Sequence, residues 1–166
     1  MCRAVQRIHA ARIAHRDLKP SNFLIMEDGT LRLSDFGTAR LISGKNNGIA
    51  SNYTVPPGDT RYVSPEMVAV LHDVDPTFGF KADLYALGAI LFELFTGALL
   101  NLHVLDGQTL LGLNQAKNAV AREQRIQIYN GFISSLASAR PLPSVGLFGP
   151  QAPTSIIDLV DRLYRM

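Results

Sequence analysis

Apolar positions recur along the chain in two rhythms and one long run, and each predicts a different kind of element. Over residues 1–14 the rhythm is helical: Val5, Ile8, Ala11 and Arg12 fall at helical spacing, with other arginines on the opposite face. No Ser, Thr, Asp or Asn precedes the first apolar position, so this helix is expected to begin upstream of Met1. Residues 23–26 and 31–33 are short apolar stretches that read as strands. Asp28-Gly29 between them is a hairpin signal, because glycine takes a positive φ without steric cost. Residues 84–100 are almost continuously apolar. Asp83 opens that run, Glu93 sits near its middle and Gly97 interrupts it, and a carboxylate at mid-bilayer is costly. The pattern therefore predicts a helix over 82–96, buried on most sides and stopped by Gly97, and no membrane partner.

The segments between are polar or punctuated. Residues 15–22 read as a loop, since Pro20 lacks a backbone donor and restricts Lys19. Residues 41–60 are rich in Gly, Ser, Asn and Pro and read as a mobile loop. Within 62–71 a helix is expected to start at Ser64-Pro65-Glu66, where the serine caps, the proline suits the first turn and the glutamate favours the positive end. Residues 72–80 and 101–112 read as irregular. Residues 114–136 read as one helix or a broken pair, burying Val120, Ile126, Tyr129, Phe132, Ile133 and Leu136. Four prolines within 141–153 mark a loop or linker. A last helix is expected from Thr154 or Ser155, with Ile156, Ile157, Val160 and Leu163 on one face. The sum is a mainly α fold with a small β-hairpin, without internal repeats.

Composition narrows the classes. The 166 residues are 47% apolar, enough for one domain with a real core. Sixteen basic residues stand against fourteen acidic ones and form no stripe, which argues against a nucleic-acid partner. The single cysteine, Cys2, allows no internal disulfide and suits a reducing compartment. No signal pattern opens the chain, so the cytoplasm is the expected location, with the nucleus also open. Cys2 reads as an ordinary thiol, and Asn52-Tyr53-Thr54 as a chance match to a glycosylation acceptor. His9, His72 and His103 lack metal-ligand spacing and read as bystanders.

The chemistry concentrates in His15-Arg16-Asp17-Leu18-Lys19-Pro20-Ser21-Asn22 and in Asp35-Phe36-Gly37. The first places an aspartate, a lysine and an asparagine on one tight loop. The hairpin sends the chain out and back, so Asn22 and Asp35, thirteen positions apart, can meet. A carboxylate aimed at a hydroxyl, beside two oxygen ligands for a hard cation, suits transfer of a phosphoryl group. Each motif alone is weak. Together with Ser64-Pro65-Glu66 and Asp83-Leu84-Tyr85-Ala86-Leu87-Gly88, in this order and spacing, they resemble the C-lobe signatures of the eukaryotic protein kinase family.

That resemblance implies a protein-kinase-like C-lobe and specific roles, which follow the family template. Asp17 would accept or orient the substrate hydroxyl proton, Asn22 and Asp35 would hold Mg²⁺, and Lys19 would balance charge on the transferred phosphoryl of ATP. Lys19-Pro20 resembles the serine/threonine branch. Leu24 would lie under the adenine, while His15 and Phe36 would join the apolar column between lobes and Asp83 would hold the loop backbone. Arg16 resembles the arginine that pairs with a phosphate on the activation loop, for which Ser43, Ser51, Tyr53 and Thr54 are candidate acceptors.

Three departures from the family pattern stand out. Gly58-Asp59 occupies the usual Gly-Thr, so Asp59 would face Asp17 with like charge unless Lys19 lies between them. Tyr85 replaces the usual Trp, a mild change in packing. No Gly-rich loop, strand lysine or partner glutamate is present in the 166 residues, nor the arginine expected to pair with Glu66. Residues 1–166 are therefore expected to be a partial kinase domain whose N-lobe is needed in cis. Alone it would be inactive and prone to aggregate. The alternative reading is a pseudokinase-like binding or regulatory module.

Overall fold

The computed structural model describes residues 1–42, 58–73, 75–139, 148 and 152–164. Of the mobile loop expected over 41–60, residues 43–57 with the four candidate phosphate acceptors lie outside the described residues, as does most of the 141–153 linker, while Leu41 is in a strand.

The first helix, α1, spans Cys2–Ala10, four residues shorter at its end than expected. Its apolar period continues through Ile13 and Ala14, but Arg12 takes a left-handed conformation with φ 61° and the helix cannot pass it. Ile13–Ala14 instead forms a strand, β1, pairing antiparallel with Arg40–Leu41 (β4). Between them, Phe23–Ile25 (β2) and Leu31–Leu33 (β3) form the expected hairpin, with Leu24 opposite Arg32. Its turn follows the signal: Gly29 has φ 75°, and Asp28 Oδ1 accepts from the Thr30 amide at 2.9 Å.

Ser64 caps a single-turn helix, α2, over Pro65–Val68 by accepting from the Met67 amide. The central helix, α3, runs Phe78–Thr96 and is stopped by Gly97 at φ 70°. Residues from Gly79 to Phe92 on several of its faces are buried, so it is the axis of the core and not an amphipathic surface helix. No helix among the described residues is long and apolar enough to cross a membrane.

Residues 101–112, expected to be irregular, are largely helical. Leu100–Val104 forms α4 and Gly107–Asn118 forms α5. The start signal was present: Asp106 caps α5 through Oδ1 on the Thr109 amide at 2.9 Å. The pair then breaks, and α6 runs Arg122–Ala139. Tyr129 is buried and Ile126, Phe132 and Ile133 pack partly buried beside it, whereas Val120, at 95% exposed, lies in the break and is not a core residue. The last helix, α7, covers Thr154–Tyr164 and lays Ile156, Ile157 and Val160 on the core of α3. The result is the helix-rich C-lobe fold expected from the motifs, with one extra two-stranded pair.

Candidate active site

The loop that follows β1 hangs from α3. Asp83, fully buried, accepts from the backbone amides of His15 at 2.8 Å and Arg16 at 2.7 Å. A third donor is His9 Nε2, at 2.8 Å from Asp83 Oδ2. His9, expected to be a bystander, is a partner of the buried carboxylate 74 positions away, and no local signal marks it. Three donors on one ion compensate much of its desolvation.

Arg16 sits at φ 67° and is buried; its Nε donates to the Thr38 carbonyl at 2.7 Å. Thr38 Oγ1 donates in turn to the His15 carbonyl at 2.9 Å. His15 Nε2 donates to the Ser34 carbonyl at 2.9 Å, and its ring packs tilted against Phe36 with centroids 4.9 Å apart. These bonds tie residues 15–16 to 34–38 on both sides of the hairpin.

Asp17 is partly exposed and lines a small cavity with Arg16, Gly58, Asp59, Tyr62 and Met67 among others. Lys19 Nζ donates to Asp17 Oδ2 at 2.8 Å. That bond, with the negative charges of Asp17, Asp35 and Asp59, holds the Lys19 ammonium above its ordinary range despite an opposing desolvation effect. Asn22 is buried, and its Nδ2 donates to the Asp17 carbonyl at 2.8 Å. Its backbone carbonyl accepts from the Ser34 amide at 3.0 Å. Asp35, the next residue, is exposed in a left-handed conformation at φ 59°. The hairpin thus returns Ser34, the residue before Asp35, to the Asn22 backbone. Leu24 and Phe36, 47% and 44% exposed, leave apolar surface beside them.

Asp59 does not face Asp17 with its carboxylate. Arg61 forks onto it, Nε to Oδ1 at 3.0 Å and Nη2 to Oδ2 at 2.7 Å, holding its carboxyl below the usual carboxylate range. What Asp59 offers Asp17 is its backbone N–H, 3.0 Å from Oδ1. Both Asp17 oxygens therefore carry a donor. Gly58, at φ 108°, permits the approach: a Cβ there would meet the Arg16 carbonyl at 2.8 Å. Tyr62 donates to Glu93 Oε2 at 2.6 Å, and burial beside that carboxylate pushes its hydroxyl up to about 12. Glu66 Oε2 is buried with no hydrogen-bond partner among the described residues. Tyr85, expected only to alter packing, also donates a hydrogen bond, to Asn101.

Among the described residues no group of three or more His, Cys, Asp or Glu could hold a metal such as Mg²⁺. A carboxylate and an amide oxygen with waters and phosphates is the other way this ion is held; Asp35 is an exposed carboxylate, and Asn22, whose Nδ2 is on the Asp17 carbonyl, keeps an amide oxygen of that kind.

Residues 1–164 match the protein kinase domain family. The chain is 37% identical over 94 residues to the human putative 3-phosphoinositide-dependent protein kinase 2, covering 57% of this chain and 22% of that protein. It is 39% identical over 99 residues to CBL-interacting serine/threonine-protein kinase 15 of Arabidopsis thaliana, covering 60% and 22%. It is 33% identical over 96 residues to serine/threonine-protein kinase PknB of Mycolicibacterium smegmatis, covering 58% and 14%. In each case the matched region is less than a quarter of the relative's length.

Proposed function

The chain belongs to the protein kinase family, and from that premise we propose that it is the catalytic segment of a protein serine/threonine kinase. It moves the γ-phosphoryl group of ATP onto a protein hydroxyl. The observation that supports this most is the clustering of Asp17, Lys19 and Asn22 on one loop, with Ser34, which precedes Asp35, bonded back to Asn22 by the hairpin. A binding module has no need of a partly exposed carboxylate held by two donors.

Asp17 takes the substrate hydroxyl as a hydrogen-bond donor, orients its oxygen toward phosphorus and accepts its proton as the P–O bond forms. Lys19, kept cationic by Asp17, faces the charge on the phosphoryl oxygens. Asn22 and Asp35 are the residues that would hold Mg²⁺, which would neutralise the triphosphate. Leu24 offers an apolar surface to the adenine. The exposed Leu24, Ile25, Leu31, Phe36 and Leu41 fit a face that an N-terminal lobe would cover in cis.

The test compares phosphotransfer to a protein substrate by the chain alone and by the chain joined behind the ATP-binding lobe of a relative. Negligible transfer alone, and transfer in the joined protein that falls by about 10²–10⁴ in Asp17→Asn, is expected. Robust transfer by the isolated chain, or a joined protein indifferent to Asp17→Asn, contradicts the proposal.

A further inference from the structure

Asn101 lies on α4, outside the signatures, and is 6% exposed. Its Nδ2 donates to two backbone carbonyls, Thr60 at 2.8 Å and Val63 at 3.0 Å. Its Oδ1 accepts from the Tyr85 hydroxyl at 2.7 Å. Two carbonyl acceptors require the amino end of the carboxamide there, and the hydroxyl donor then meets the oxygen end. Both amide protons and an oxygen lone pair are used.

The two carbonyls belong to one turn. Within it, the amides of Tyr62 and Val63 both reach the Asp59 carbonyl at 2.9 Å. The opposite edge of that turn presents the Asp59 N–H to Asp17 Oδ1. The turn is neither sheet nor regular helix, so its carbonyls need partners from elsewhere when buried. We infer that Asn101 is a positioning residue: its carboxamide, braced by Tyr85 on the central helix, clamps residues 59–63 so that the Asp59 amide meets Asp17. The importance of this to catalysis rests on Asp17 being the base, as proposed above.

Asn101→Asp keeps the volume and the acceptor for Tyr85 but replaces both donors with an oxygen facing two carbonyls. Exchange of the Asp59 amide is expected to speed at least about tenfold, while the His15 and Arg16 amides, held by Asp83, keep their rates. In the wild-type chain the Asp59 amide proton is shifted downfield by its bond to Asp17 Oδ1; in Asn101→Asp it moves upfield. Tyr85→Phe, which removes only the brace, speeds exchange of both the Asn101 carboxamide protons and the Asp59 amide by about two- to fivefold. Asp59 exchange within about twofold of wild type in Asn101→Asp, with its amide resonance unmoved, overturns the inference. If Asn101→Asp does not fold, Tyr85→Phe decides by the same readouts, and unchanged exchange overturns it. None of these needs phosphotransfer, so loss of the kinase reading leaves the clamp separately testable.

Discussion

The loop around Asp17 and the α5–α6 pair lie in the same chain but are held by opposite means. The loop is fixed by buried polar groups whose partners are distant in sequence: Asp83 on His15, Arg16 and His9, and Asn101 on Thr60 and Val63. The α5–α6 pair is held mainly by apolar packing of neighbours, with Leu113, Ala116 and Tyr129 buried and Ile126, Phe132 and Ile133 against them. Directional bonds set positions to a fraction of an ångström, as phosphoryl transfer needs, but tolerate no missing partner. Apolar packing is non-directional and responds to volume. Substitutions should therefore act through bonding in the first region and through size in the second.

The largest effect is expected where that contrast is sharpest. Asp83→Ala leaves two backbone amides without their acceptor in the core, and should lower unfolding stability by about 3–5 kcal/mol in urea titration. A loss below about 1 kcal/mol would remove the polar half of the comparison. Next is Gly112→Val on α5: an added Cβ would land 2.5 Å from Phe132, and overpacking should cost about 1–3 kcal/mol. Adding Phe132→Leu should restore part of that loss, which a volume effect allows and a bonding effect does not.

Alkaline titration gives a smaller signal. Tyr62 is raised from its ordinary 10.0 to about 12 by burial and by Glu93. Its neutral hydroxyl therefore contributes stability that is fully present below pH 10 and lost as pH rises through about 12. Thermal melts should show a stability loss in that window that is weaker in Tyr62→Phe. Smallest of all, Val120→Ser should change stability by less than about 0.5 kcal/mol, because the side chain is exposed in the helix break.

The same contrast explains what could be read from the letters. Local signals worked where one residue's conformation decides the element: Gly29 in the hairpin, Gly97 at the end of α3 and Ser64-Pro65 at the start of α2. They failed where a distant partner decides. The helical period runs on past Arg12, and only pairing with β4 makes Ile13–Ala14 a strand. Asp106 was a legible cap, overlooked because the following turn, Gly107 to Leu110, lacks a clear apolar period. In the site, Asp17, Lys19, Asn22, Asp35 and Asp83 stood out by motif. His9 and Asn101 did not, since a histidine or asparagine becomes a support only through what the fold sets against it. The like-charge conflict foreseen at Asp59 is removed by Arg61, two residues on, a pairing whose geometry the spacing alone does not dictate.

The central claim is that Asn22 and Asp35 share one cation beside the nucleotide phosphates. Paramagnetic Mn²⁺ added with ATP tests it directly through line broadening. The account predicts that the Asn22 carboxamide and the Asp35 amide broaden together and that both recover in Asp35→Ala. Broadening at one of them alone, or at neither, contradicts it.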